Sequence, residues 1–274
     1  WGLPGLMFYR SFYEFSNALR ITRPLMVISA LVTFTHIPLA WSLTHGIGPW
    51  QGLCGLGCGI STAVVNTVAM ACSLAYLKWH QAFHSHAPWR STWRIQWAEL
   101  QRLLKLGVPM GLSSFVDISS FTLIAILVAK LGAETVSGHR VVANMTGFIY
   151  MLPLSISIAT LVQVGQAAGA HNLMLARKVV WAGVCLTGAL SVTVGLALWG
   201  LRQPLVAWST ADPAVQQVAL QLIGLLAIYQ GLDALQTLAA YALRGFKVTL
   251  VPMLIHTLCM WGIGLFGGHW LTFS

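Results

Sequence analysis

Two carboxyl groups stand where a carboxyl group is expensive. Asp117 lies in "LLKLGVPMGLSSFVDISSF" and Asp233 in "AIYQGLDALQTLAAYALRG", in a chain with six acidic residues among 274. Polar residues at helical spacing surround both: Ser113, Ser114 and Ser120 around Asp117, and Tyr229, Gln230, Gln236 and Thr237 around Asp233. Residues three or four apart are neighbours on a helix, so each Asp heads a polar stripe that must face a cavity or another helix. A third segment between them carries Asn144, with Arg140 one turn away and Pro153 further on. Two carboxylates, the Tyr229 phenol and the Asn144 amide oxygen suit a hard cation such as Na+. A desolvated carboxyl can equally hold a proton. The candidate cation or proton site is therefore Asp117, Asp233 and Tyr229, with Asn144, Ser113, Ser114, Ser120, Gln236 and Thr237 lining the cavity. The alternative is that each Asp is hydrogen-bonded glue between helices.

The medium explains the cost. The chain is 57% hydrophobic and 8% charged, with a mean hydropathy of +0.75. Soluble domains carry about 25% charged residues, so this composition belongs to an integral membrane protein. Apolar runs long enough for helices, with no alternating ten-residue pattern, exclude a barrel. Eight candidate spans cover residues 1–20, 24–44, 53–78, 106–130, 136–163, 176–201, 214–243 and 249–273; the first is the most polar, containing Arg10, Glu14 and Arg20. Glu14 and Arg10, one turn apart, are expected to pair.

Basic residues orient the spans. One set of alternate connections holds Arg20, Arg23, Lys78, Arg90, Arg94, Arg102, Lys105, Arg177, Lys178, Arg244 and Lys247, whereas the other holds Lys130 and Arg202. The richer set is cytoplasmic, and the net charge of +9 needs no nucleic-acid partner. On this frame Asp117 lies twelve residues beyond Lys105 and Asp233 eleven before Arg244. At a helical rise of about 1.5 Å per residue both carboxyls stand about 16–18 Å above their basic anchors, near the middle of a hydrocarbon core about 30 Å thick. Two unrelated structural acids have no reason to match in depth.

Asp212-Pro213 reads as an N-cap followed by Pro at the first helical position. The longest connection ends in "STWRIQWAELQRLLK", which places Trp93, Trp97, Leu100 and Leu104 on one face and is expected to lie at the inner interface as an amphipathic helix. It separates residues 1–78 from residues 103–274, with 79–102 as the connection. Trp41, Trp50, Trp208 and Trp270 read as interface anchors. "ALRITRPLMVI" echoes "ALRGFKVTLVPMLI", each at a cytoplasmic end, as in a parallel repeat. The five cysteines form no CxxC pair, so no zinc site or disulfide framework is expected. His80, His84 and His86 lack an acid or cysteine nearby and make a weak metal site. No P-loop, Rossmann fingerprint or hydrolase elbow appears, and no enzyme is expected.

"LLKLGVPMGLSSFVDISSF", "GHRVVANMTGFIYMLPLSISIATLVQVGQAAGA" and "AIYQGLDALQTLAAYALRGFKVTLVP", in that order and spacing, resemble the multidrug and toxic compound extrusion (MATE) transporters of the NorM-like branch. "TRPLMVIS" and "GLGCGISTAVV" are similar to the fifth and sixth helices of that family. The resemblance implies an all-α integral membrane fold, about eight helices of a twelve-helix, two-lobe antiporter. It implies export of organic cations and drugs in exchange for Na+ or H+, no cofactor, a monomer in the full-length protein, and a bacterial inner membrane. By that mapping the chain runs from the fourth helix through the eleventh, as a piece of something longer. The family's C-lobe cation site maps onto Asp117, Tyr229 and Asp233; position 117 is more often Glu in the family. The fifth-helix Asn-x-Pro-x-Asn pattern stands here as His36-Ile37-Pro38-Leu39-Ala40, without its two amides, and the family's His-Gln pair as His139-Arg140. Within the same superfamily, a lipid-linked oligosaccharide flippase is the alternative, and a non-transporting fragment is another.

Overall fold

The computed structural model describes residues 2–19, 21–46, 52–80, 83 and 96–273. Among them every regular element is helical: α1 (Leu3–Ala18), α2 (Arg23–His45), α3 (Gly55–Trp79), α4 (Trp97–Ala129), α5 (Ala133–Gly169), α6 (Leu173–Ser209), α7 (Pro213–Gly245), α8 (Leu250–Thr257), a π-helical segment Leu258–Gly267, and α9 (Gly268–Phe273). Among the described residues, seven helical stretches are long and apolar enough to cross a membrane, the last of them Leu250–Trp270. The first helix is not among these: α1 has 16 residues, fewer than the roughly 20 that span a bilayer.

The chain divides into two compact units, Trp1–Arg94 and Ile95–Ser274. In the first, α3 packs against both α1 and α2. Phe12, Leu25, Ile28, Leu77 and Phe83 form its core. Gly5 is required where α1 meets α3: a methyl group there would lie 2.7 Å from the Asn66 carbonyl oxygen. Arg10 and Glu14 act on each other electrostatically, yet no salt bridge joins them among the described residues.

In the second unit α7 packs along α5 and α6, and α4 packs on α5, α8 and the π-helical segment. The α5–α6–α7 core is Val142, Leu198, Val206, Ala219, Ile223 and Leu226. Elsewhere the interior is small and polar. Ser61, Ser73, Ser120, Ser157 and Thr187 are fully buried, whereas Phe34 (77% exposed), Phe148 (84%) and Trp208 (89%) face outward. Small residues between helices and large apolar ones outside are what lipid requires, because lipid gives apolar side chains no reason to turn inward. Gly183 on α6 illustrates the close approach: an added methyl group would lie 2.8 Å from the Thr160 hydroxyl of α5.

Local signals resolve as their chemistry dictates. The Asp212 carboxylate accepts from the Ala214 N–H at 2.9 Å, with Pro213 at the start of α7. Both echo segments fall at helix–connector–helix junctions, α1 to α2 and α7 to α8. The amphipathic stretch differs from expectation. Residues 97–105 are the first turns of a continuous 33-residue α4, because nothing between Trp97 and Pro109 breaks the helical pattern; the part before Gln96 lies outside the described residues, as do Trp50, His84 and His86. The last span also differs: its middle ten residues are π-helical, a rare geometry that occurs mostly as single-turn bulges, frequently at functional sites.

Candidate functional site

The site is built where α4, α7 and α8 converge. On α7, Tyr229 and Asp233 are one turn apart, and the phenol donates to Asp233 Oδ1 at 3.2 Å. On α4, Asp117 Oδ1 lies 2.5 Å from Nε2 of His256, a residue of α8. The other imidazole nitrogen, Nδ1, is 3.0 Å from Nε2 of Gln236 on α7. A chain of polar contacts therefore runs from α4 through α8 to α7, and the two carboxyls act on each other electrostatically. Gln236 Nε2 can only donate, so Nδ1 accepts and Nε2–H donates to Asp117, an arrangement that a neutral imidazole satisfies.

Exposure orders the group. Asp117 is half-exposed at its side chain (44%) and His256 is largely covered (14%), so the imidazole holds the carboxylate from the protein side. Tyr229 is open to the exterior of the described helices (46%). Tyr150 of α5 completes the surround: it lies beside Thr237 and within electrostatic range of both carboxyls. On the outer side of the site, Trp261 of the π-helical segment donates Nε1–H to the Ser119 hydroxyl at 3.3 Å.

The lining residues read from the sequence divide. Gln236 joins the network through His256, and Thr237 through Tyr150. Ser113 and Ser114 turn back onto their own helix, donating to the Pro109 and Met110 carbonyls at 3.0 and 3.3 Å. Such back-bonding is the usual resort of a helical serine without a partner. Ser120 is buried without a hydrogen-bond partner. Asn144 is exposed and bonds to neither carboxyl. Gln230 is 5% exposed with both amide atoms unpaired.

His256 and Tyr150 escaped the sequence reading. His256 stands in an apolar span, nine residues beyond Lys247, about 14 Å deep at 1.5 Å per residue, whereas the span's other histidine, His269, lies near its far end. The depth comparison that paired Asp117 with Asp233 points to it as well.

A family model described as MatE matches residues 109–270, more than half of the chain. The chain belongs to the MatE family. A probable multidrug resistance protein NorM of Aromatoleum aromaticum is 55% identical across 99% of this chain and 59% of its own length. A second, from Chromobacterium violaceum, is 37% identical across 96% of this chain and 57% of its own. The chain thus spans less than two thirds of the curated relatives it matches. The crystal structure of the Vibrio cholerae MATE transporter VcmN superposes with a TM-score of 0.83 at 17% identity, over 96% of this chain and 58% of that one. The eukaryotic MATE transporter AtDTX14 gives 0.77 at 18%, over 100% and 68%. These relatives are transporters and resistance proteins, not enzymes, and the fold is that of part of a two-lobe transporter. The chain is a multi-pass protein of a bacterial inner membrane.

Proposed function

We propose that this chain supplies most of the membrane domain of a secondary antiporter that exports organic cations in exchange for Na+ or H+. The observation that carries the reading is the network of Asp117, His256, Gln236, Asp233 and Tyr229, set in helices that cross the membrane. Charged groups at membrane depth cost about 2.5–3.5 kcal/mol each on insertion scales. They persist where a transported ion or cargo uses them. Coupling follows if the exchanged ion and the organic cation compete for the same carboxyls, since each then lowers the affinity for the other by the same factor. The names of the NorM relatives support drugs as the cargo.

The test is ethidium efflux from cells expressing the full-length protein. Asp233→Asn should abolish efflux while the protein still reaches the membrane in normal amount; efflux at the wild-type rate would overturn the reading.

A further inference from the structure

We infer that His256 sets the ion selectivity of this site: by donating to Asp117 from within the protein, it keeps Na+ from using the two carboxyls together. This rests on the reading of Asp117 and Asp233 as the exchange site, and it adds a residue from a third helix as the discriminator.

A hard cation binds by collecting several oxygens at once. The oxygens near this site include those of Asp117, Asp233, Tyr229 and Gln236, with the Tyr150 and Thr237 hydroxyls beside them. One Asp117 oxygen is taken by the His256 Nε2–H at 2.5 Å. The Gln236 amide is turned to the other face of the same ring, at 3.0 Å. The Tyr229 hydroxyl is committed to Asp233 at 3.2 Å. His256 thus occupies the space on the Asp117 side and offers nitrogen, a ligand type suited to Zn, Cu, Fe and Ni rather than to alkali ions.

Displacing the ring is disfavoured by its setting. It is largely covered, at 14% exposure, and both nitrogens are bonded, so withdrawing it leaves a largely covered imidazole on α8 without its partners. A buried polar group left without its partner is more costly than the bond itself is worth. Asp117, Asp233 and Arg244 are the charged groups within electrostatic range of the ring. The bonding pattern needs no charge on the imidazole, so the exclusion is a matter of occupied ligands and occupied space.

The experiment is 22Na+ binding by equilibrium dialysis to the purified full-length protein, with His256→Ala, His256→Gln, Asp117→Asn and the His256→Ala/Asp117→Asn pair. Wild type should show no saturable Na+ binding that depends on Asp117. His256→Ala should gain such binding, and the double variant should lose it. His256→Gln, whose amide N–H can still donate to Asp117, should stay closed to Na+. Saturable Na+ binding by the wild type that Asp117→Asn removes overturns the proposal, and this holds whether or not His256→Ala folds. A folded His256→Ala that gains no Na+ binding overturns it too. Neither result touches the efflux phenotype of Asp233→Asn, so failure here is distinct from failure of the proposed function.

Discussion

Nε2 of His256 lies 2.5 Å from Oδ1 of Asp117, across 139 residues of sequence. That contact joins α8 to α4, and the Gln236 contact on the other ring nitrogen joins α8 to α7. Three helices are thereby tied at one level of the membrane, where the candidate exchange site stands.

Removing the phenol of Tyr229 should weaken the site without dismantling it. Its 3.2 Å bond to Asp233 is half-exposed, so Tyr229→Phe should cost about 1 kcal/mol of differential binding, roughly fivefold. Dye efflux measured against drug concentration checks this, and an unchanged half-saturating concentration would remove Tyr229 from the site.

The start of α7 should depend on Asp212. Its carboxylate accepts from the Ala214 N–H at 2.9 Å, and losing an N-cap costs about 1 kcal/mol. Asp212→Ala should lower the thermal midpoint in detergent, and Asp212→Ser should restore most of it. Equal midpoints for all three proteins would show that packing of α7 against α5 and α6 carries that helix end by itself.

The α5–α6 contact should tolerate nothing larger than glycine at position 183. Since an added methyl group would lie 2.8 Å from the Thr160 hydroxyl, Gly183→Val should destabilise the second unit by about 1–3 kcal/mol through overpacking. Thr160→Ala in the same protein should recover part of the loss. Thermal unfolding in detergent is the readout; no loss in Gly183→Val would mean that the helices separate freely there.

Orientation has a direct check. Cysteines placed at Lys130 and at Ala211, in a background without the five native cysteines, should react with a membrane-impermeant maleimide in intact cells. A cysteine at Arg177 should react only after permeabilisation. The reverse pattern would contradict the distribution of Lys and Arg, which places the Arg177 connection in the cytoplasm.

Much of this was legible in the chain. The spans could be read because each element must bury about 20 residues in hydrocarbon and satisfy its own backbone there. Orientation could be read because charge resists crossing the membrane. The start of α7 could be read because Asp-Pro is local chemistry, and the Tyr229–Asp233 bond because residues four apart on a helix are neighbours by construction. These features depend on a residue and its near neighbours in sequence.

Tertiary structure alone decided the rest. Whether Ser113 faces a cavity or its own carbonyl, and whether Asn144 reaches the carboxyls, depends on helix rotation. With few charged residues and weak amphipathic contrast, the sequence leaves that rotation open. The partner of Asp117 is on α8, more than a hundred residues away, in a span that is apolar over most of its length. Depth could nominate His256, but only the packing of α4 against α8 brings its ring to the carboxylate. The amino-acid sequence by itself determined the medium, seven of the eight spans read from it and the residues too costly to be idle. The tertiary structure decided which of those residues meet, because in lipid the pairing of helices follows from close fit and polar satisfaction between segments that sequence separation does not constrain.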